Sequence, residues 1–311
     1  MASSTSPDEL YAVIALAVIF GASTLMLATR GTRRQMNALG VWGILTFTYK
    51  EAIRTKWVLT FGIIFFLLAV DIPDLYLSAA GNLPPEYLKS SLSDLLSVTF
   101  PLIPLLALPM GAVSIVDERE SGTLQYLLSN PVTKGEFFLG RAVGLLLATT
   151  TVIIIGFGAA SMVVYTSGIS NYFSVVMIMA FAAMLNAVML GVALIISEFS
   201  KRKATAMGIG IMVWFLFAVV SSLDQLVISV NLRSGPIAAL TIVLLDPIET
   251  ARELTVYGAG LGQGQYSVGN LVALHVWGLT NTYPFTFLSV VLWIVVTFAI
   301  GFLVFRHQDA A

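Results

Sequence analysis

The residues able to do chemistry in this chain are few, because most of the sequence is apolar and little of it is charged. Of its 311 residues, 58% are hydrophobic and 11% are charged, whereas soluble domains carry about 25% charged residues. Four consecutive charges, Asp117, Glu118, Arg119 and Glu120, follow a long apolar run. In a sequence this apolar, such a cluster indicates the edge of a membrane, where a span ends in water.

Catalytic and cofactor chemistry lacks its usual residues. The chain has no Cys, which excludes disulfides and thiolate metal sites, and its two His, His275 and His307, lie towards the periphery. Neither an H-E-x-x-H pattern nor the phosphate-binding pattern G-x-x-x-x-G-K-[ST] occurs. We therefore predict that the chain is not an enzyme, holds no cofactor or metal, and does not bind ATP itself in that mode.

Some residues inside apolar runs could serve transport directly. Met thioethers suit Cu(I), and Met177 and Met184 share a helical face, although Met also fills gaps in apolar cores. Asp71 and Asp224 are the deepest acids, but each lies about 9 Å from a predicted span end. That position favours an acid at the membrane interface over a proton relay. Asn186 is expected to hydrogen-bond between helices.

Long apolar runs predict the elements that position these residues. A bilayer crossing needs about 20 residues, and the runs lack the alternation of membrane β-strands. The fold class is therefore all-α membrane, a polytopic helical bundle with seven predicted spans. The spans lie near 10–29, 57–77, 94–116, 141–166, 172–197, 204–230 and 284–305.

The positions of Lys and Arg predict the orientation. With the N-terminus outside and the C-terminus inside, every one of the 16 basic residues except Lys89, Arg233 and Arg252 lies on the inner side. The net charge of −1 provides no general basic surface, so nucleic acid is not an expected partner.

The pattern divides the chain into three parts. Residues 1–35 form an extra N-terminal span, with a cleaved leader as the alternative, and 36–56 form an amphipathic interfacial helix or an inward extension of the next span. The apolar stripe of this helix is expected to face lipid and consists of Val41, Ile44, Leu45 and Thr48. Residues 57–311 form a six-span core, which contains an inner loop at 117–140 and an outer helical region at 231–283.

Further local patterns predict packing. Pro101, Pro104 and Pro109 place the third span inside the bundle or beside a cavity, where neighbours or water satisfy the carbonyls that prolines free. Asp246 and Pro247 begin an outer helix that ends near Tyr257. Glu198 is expected to pair with Lys201 and Arg202 at the inner edge, and Gly140 and Gly144 predict close helix packing.

The inner loop predicts a short helix between two clear stops. Ser121 or Thr123 can cap it, Asn130-Pro131 ends it, and Thr133 with Glu136 forms a capping box for the next span. Its apolar face consists of Leu124, Leu127 and Leu128. Such a face either lies on lipid or docks into a groove of a cytoplasmic partner.

This loop resembles a known family. The resemblance rests on Glu118-Arg119-Glu120-Ser121-Gly122-Thr123-Leu124, then Leu127-Leu128, Pro131-Val132 and Gly140-Arg141. It is similar to the inner-loop motif of type-2 ABC exporter permeases and implies a helix that couples the permease to a nucleotide-binding subunit. The positions implied in coupling are Asp117, Glu118, Arg119, Glu120, Ser121, Gly122, Thr123, Leu124, Leu127 and Leu128.

The resemblance also implies partners. Within the family the chain resembles NosY-type permeases, which serve maturation of nitrous oxide reductase, a copper enzyme. It implies an ABC ATPase subunit that binds the ATP, a second permease copy in a homodimer, the lipid bilayer of a prokaryotic plasma membrane, and an extracytoplasmic accessory protein. The alternatives are a secondary transporter and a non-ABC membrane subunit of a larger complex.

Overall fold

The structure, a computed structural model, describes residues 38–80, 95–129, 132–166, 172–230, 244–259 and 283–307. These residues are almost entirely helical and include no strand. The predicted extra span of residues 1–35 lies outside them. The helices of the described part are α1 (Ala38–Ile53), α2 (Lys56–Ala80), α3 (Leu102–Glu120), α4 (Thr123–Ser129), α5 (Lys134–Thr166), α6 (Tyr172–Phe199), α7 (Lys203–Val230), α8 (Pro247–Gly258) and α9 (Tyr283–His307).

Five helical segments of the described chain are long and apolar enough to cross a membrane. They are Leu95–Glu120, Lys134–Ala159, Phe173–Phe199, Lys203–Leu223 and Thr286–His307. The apolar segment Lys56–Leu68 of α2 is shorter. The all-helical, multi-pass prediction is therefore confirmed, whereas the seven spans and their orientation stay predictions.

The bundle is built around α3, α5 and α6. These three are the most buried of the spans, whereas only 17% of the α7 span is buried. α1 and α2 pack on α5, α7 packs on α3, and α9 packs on α6. The short helix α4 lies at one end of the bundle, which we call the α4 end.

Two glycines bring α1 against α5. A Cβ built on Gly140 would lie 2.7 Å from the Cβ of Ile44, and one on Gly144 would lie 2.7 Å from the Cβ of Thr48. The predicted close packing is thus confirmed. The stripe expected to face lipid, which includes Ile44 and Thr48, instead faces α5, and Trp42 is 64% exposed on the other side. The helix ends at Ile53, before the predicted end at residue 56.

Replacing Gly144 by Leu should separate α1 from α5. The added side chain would meet backbone as well as Thr48, because the new Cβ would lie 2.8 Å from the Leu45 carbonyl oxygen. We expect a loss of about 1–3 kcal/mol, as for other overpacked sites, measured by thermal unfolding in detergent. Gly43→Leu is the matched control, since no atom lies within 4 Å of its Cβ position. Equal unfolding temperatures for the two variants would contradict this packing.

The prolines of α3 occupy different positions in the helix. Pro101 precedes the helix and Pro104 lies in its first turn, so only Pro109 is well inside it. The predicted internal position is confirmed, since two thirds of this span is buried. The indole nitrogen of Trp214 donates to the Pro101 carbonyl at 2.8 Å, which joins α7 to the start of α3.

Helix α8 begins and ends as its sequence predicts. The Asp246 carboxylate accepts a hydrogen bond from the Ile248 amide at 2.9 Å, which caps the helix. Glu249 and Arg252 form a buried pair at 2.6 Å. Burial alone would lower the pKa of Arg252, but Glu249, Glu253 and Asp246 outweigh it and raise that pKa above its usual value. Arg252 therefore stays charged, and α8 packs across α6 and α9.

Candidate coupling site at the α4 end

A tight turn joins α3 to α4. The amide of Ser121 donates to the Asp117 carbonyl at 3.0 Å, and the amide of Gly122 donates to the Arg119 carbonyl at 3.2 Å. Gly122 has φ +76°, a left-handed conformation that glycine adopts without steric cost. Helix α4 then begins at Thr123. The charged cluster is thus the last turn of α3 and not part of a loose loop.

A buried ion pair joins this last turn to α5. Nη1 of Arg141 lies 3.1 Å from Glu118 Oε1 and 2.8 Å from Glu51 Oε2, while Nη2 donates to the Ser114 carbonyl at 2.9 Å. The side chains of Arg141 and Glu118 are 6% and 9% exposed. Because a buried charge is costly without its partner, this pair fixes the end of α3 against α5.

Arg119 binds the end of α6. Its Nη2 lies 2.7 Å from Glu198 Oε2, and its Nη1 donates to the Glu198 carbonyl at 3.2 Å. The sequence predicted that Glu198 pairs with Lys201 and Arg202. The structure instead shows an ion pair between Glu198 and Arg119, which belongs to another helix. Spacing along a helix reveals only nearest neighbours, so this partner could not be found from the sequence.

Asp117 and Glu120 bind the start of α7. Lys203 Nζ lies 2.7 Å from Asp117 Oδ2, and the Lys203 amide donates to Glu120 Oε2 at 2.7 Å. The second contact caps α7, because a carboxylate at a helix N-terminus satisfies a free amide. Together the four consecutive charges connect one helical turn to α5, α6 and α7.

Ser197 is a residue that sequence reasoning missed. Its hydroxyl oxygen accepts hydrogen bonds from the amides of Ile115 and Val116, both at 3.0 Å, and its side chain is buried. A serine near the end of an apolar span gives no sequence signal for such a role. The contact joins α6 to α3 immediately before the charged cluster.

Helix α4 turns its apolar face towards the bundle. Leu124 is 2% exposed and packs in a cluster with Phe137, Phe138 and Phe305, and Leu127 packs against the same cluster. The side chain of Leu128 lies outside the described part. The predicted apolar face therefore holds α4 on its own chain, at least at Leu124. Among the described residues from Ser121 to Leu127, Ser121, Gly122, Thr123 and Gln125 are exposed.

The capping box that starts α5 is confirmed. The Thr133 amide donates to Glu136 Oε2 at 2.7 Å, and the Glu136 amide donates to Thr133 Oγ1 at 3.2 Å. Helix α5 consequently begins at Lys134. The predicted loop 117–140 thus contains the end of α3, all of α4 and the start of α5.

Comparison with known proteins decides the family. Residues 42–310 match the family described as ABC-2 family transporter protein. The chain belongs to this family. It is 29% identical over 281 residues to the "Probable ABC transporter permease protein NosY" of Stutzerimonas stutzeri. This alignment covers 86% of the present chain and 98% of that protein. The protein of the same name from Pseudomonas aeruginosa is 29% identical over 228 residues, or 70% and 82% of the two chains.

The chain is accordingly the transmembrane permease subunit of an ABC transporter. Membership of the family implies pairing with an ABC ATPase subunit, and the apolar helices make the permease a multi-pass membrane protein. The family that the α3–α4 segment suggested is therefore confirmed. The coupling role of its individual residues stays a prediction.

The membrane part of the permease contains one polar contact that the sequence predicted. Asn186 Nδ2 donates to Thr149 Oγ1 at 2.8 Å and to Thr150 Oγ1 at 3.2 Å, between α6 and α5. Met177 and Met184 pack against the apolar core, as gap-filling residues do. Within the described ranges, no group of His, Cys, Asp and Glu is arranged to hold a metal.

The predicted membrane acids are placed only in part. Asp71 is exposed on α2. The side chain of Asp224 and the whole of His275 lie outside the described residues. The interface position of Asp224 and the peripheral position of His275 therefore stay predictions.

Proposed function

We propose that the permease receives ATP-driven motion from a separate ATPase subunit through the turn between α3 and α4. The observation that carries this proposal is the attachment of the turn. Four consecutive charges, Asp117 to Glu120, bind α5, α6 and α7, while the neighbouring residues Ser121 to Thr123 and Gln125 are exposed. A force on the exposed residues would move the ends of several spans together.

In this proposal Leu124 and Leu127 act indirectly. They hold α4 on the bundle and so fix the orientation of the exposed residues that meet the ATPase. The surface with which the permease contacts the ATPase is then small and polar. Gly122 forms the turn between α3 and α4 on this surface. Binding and hydrolysis of ATP belong to the partner and bias the permease between two states only through differential contacts.

The proposed topology places the α4 end in the cytosol. Most Lys and Arg of the chain lie on that side in the seven-span arrangement, with the N-terminus outside and the C-terminus inside. α2 is then the first of six core spans. The membrane is a prokaryotic plasma membrane, as the bacterial sources of the relatives suggest.

The functional unit is proposed to be a homodimer that meets through α7. Its span is only 17% buried, and Met212, Phe215 and Leu216 are all at least 60% exposed. A second copy would cover this apolar face, and a two-fold axis would bring equivalent residues of α7 together.

Single cysteines should test the dimer without cross-linking from native residues, because the chain has no Cys. We expect Met212→Cys or Phe215→Cys to form a covalent dimer in membranes upon oxidation, measured by non-reducing electrophoresis. Leu292→Cys on α9 is the matched control, since it is also exposed and apolar but lies on another helix. Cross-linking from Leu292→Cys alone, or equally from all three, would contradict the α7 interface.

The resemblance to NosY-type permeases extends the proposal to cargo. It suggests an exporter that serves maturation of nitrous oxide reductase, together with an extracytoplasmic accessory protein. A strain that lacks the permease gene would then make that enzyme without its copper. A fully copper-loaded enzyme in this strain would remove the cargo assignment and leave the coupling proposal intact.

The coupling proposal is tested by co-expressing the permease with the ABC ATPase encoded beside it. We expect a stable complex in detergent whose ATP hydrolysis rate differs from that of the free ATPase. Changing the Lys of the ATPase phosphate loop to Ala should keep the complex and abolish hydrolysis. Full biological activity of the permease with this inactive ATPase would overturn the proposal.

A further inference from the structure

Two of the three links that the charged cluster makes are buried. The ion pair to α5 joins Glu118 and Arg141, whose side chains are both less than 10% exposed. The ion pair to α6 joins Arg119 and Glu198, whose side chains are 20% and 0% exposed. Separating either pair would leave a charge buried without its partner, which is costly. The end of α3 is therefore expected to move together with α5 and α6.

The link to α7 is different, because water reaches it. The side chains of Lys203 and Asp117 are 52% and 44% exposed. The second contact, from the Lys203 amide to Glu120, also lies at the surface. An exposed ion pair adds little stability, since water replaces the lost partner and salt screens the attraction. Of the three links, this one opens at the lowest cost.

Little other packing holds the first turn of α7. Residues 203–205 are exposed, and Ala206 is the first residue of the helix that is buried, in a small cluster with Val116. By contrast, the first turns of α5 bury Phe137 and Phe138. The start of α7 is therefore held mainly by the exposed contacts of Lys203.

Helix α7 is held more firmly from Gly210 onwards. A Cβ built on Gly210 would lie 3.1 Å from the Leu108 carbonyl oxygen, and Trp214 donates to the Pro101 carbonyl. Gly208 lies between the two regions and has no atom within 4 Å of its Cβ position, so close packing does not require a glycine there. A glycine makes a helix easier to bend than an alanine would. Gly208 is thus placed to act as a pivot.

A cavity of about 230 Å³ adjoins the link to α7. Asp117 and Lys203 both line it, and so does Met207, one turn further along α7. The other walls come from α1, α2, α3 and α5. A movement of the first turns of α7 away from α3 would consequently widen this cavity.

We infer that the pair of Asp117 and Lys203 is a latch, which opens when the ATPase moves the turn between α3 and α4. The end of α3 then moves with α5 and α6, while the first turns of α7 bend away at Gly208. The cavity widens at the α4 end. The inference rests on the proposed function for its driving force, whereas the latch and the pivot are tested on the permease alone.

A single cysteine in the cavity reports the opening. Val113→Cys is suitable, because Val113 lines the cavity, is only partly buried, and the chain has no other Cys. The rate of labelling by a membrane-impermeant maleimide is measured on the full-length permease in lipid nanodiscs. Adding Asp117→Asn should raise this rate about threefold, as loss of an exposed pair allows. High salt should raise the rate with the intact latch but not with Asp117→Asn, which has no pair to screen.

Glu51→Gln is the matched control for the latch. Glu51 is also a half-exposed acid that lines the cavity, but its ion-pair partner is Arg141 of α5. Removing its charge should leave the labelling rate of Val113→Cys unchanged. The unfolding temperature of each variant is measured in parallel, and if Asp117→Asn does not fold, Lys203→Met decides with the same expected increase.

The pivot has its own pair of variants. Gly208→Ala should slow labelling of Val113→Cys about threefold, because alanine stiffens the helix where it has to bend. Gly43→Ala on α1 is the matched control, since no atom lies within 4 Å of its Cβ position either. It should leave the labelling rate unchanged. Equal slowing by both variants would overturn the pivot.

Two results would overturn the latch. The first is an unchanged labelling rate in Asp117→Asn, and the second is an equal increase in Glu51→Gln. With the ATPase added, a complex that forms and hydrolyses ATP without changing the labelling rate would also contradict the inference. If no complex forms, the proposed function fails instead, while the measurements on the permease alone still decide on the latch.

Discussion

Replacing Arg141 by Met is expected to destabilise the permease by about 3–5 kcal/mol, because it leaves the carboxylate of Glu118 buried without its cation. Both side chains are less than 10% exposed, and Arg141 also donates to the Ser114 carbonyl. The measurement is the unfolding temperature of the purified permease in detergent. A change of this size would lower it by several degrees or abolish the folded protein.

A second substitution should restore most of the stability that is lost in Arg141→Met. In Glu118→Gln/Arg141→Met no buried charge is left without a partner, because Glu51, which also loses Arg141, is half-exposed. Replacing both members of a buried ion pair is often nearly neutral. Glu51→Gln is the control, because Glu51 is 47% exposed and such a pair contributes about 1 kcal/mol or less. A loss for Arg141→Met as small as that for Glu51→Gln would contradict the assignment of a buried pair.

Replacing Leu124 by Asp is expected to remove α4 from the bundle, because the new carboxylate would be buried without a partner. Leu124 is 2% exposed against Phe137 and Phe138, and even Leu124→Ala should cost about 2–5 kcal/mol. The yield of monodisperse protein and its unfolding temperature measure the effect. Gln125→Asp, at an exposed neighbour, should change stability by about 0.5 kcal/mol or less.

The comparison of these variants separates an anchor from a docking residue. An apolar helix face on the sequence is equally consistent with burial in the chain and with docking on a partner. If Leu124→Asp folds as well as the wild type but no longer binds the ATPase, then Leu124 contacts the partner directly and its anchoring role is wrong.

The sequence could predict the parts of the fold that depend on local signals. The capping box of Thr133 and Glu136 and the start of α8 at Asp246 depend on residues within a few positions of one another, and both are confirmed. Long apolar runs likewise predict helices of span length, because lipid requires each span to satisfy its own backbone. The region before residue 38 lies outside the described part.

The partners of the charged cluster could not be predicted, because they lie far along the chain. Arg119 and Glu198 are separated by 79 positions, and Asp117 and Lys203 by 86. The apolar pattern of α4 predicted a helix but not what covers it.

The central claim is that the exposed residues of the α3–α4 turn meet an ATPase in the cytosol. A single cysteine at Gln125, labelled with a membrane-impermeant maleimide, tests it most directly, because the chain has no other Cys. We predict labelling from the cytosolic side only, and labelling about tenfold slower once the ATPase is bound. Arg54→Cys, exposed between α1 and α2, is the control and should label at the same rate with and without the ATPase. Labelling of Gln125→Cys from the outer side, or at a rate that the bound ATPase leaves unchanged, would contradict the account.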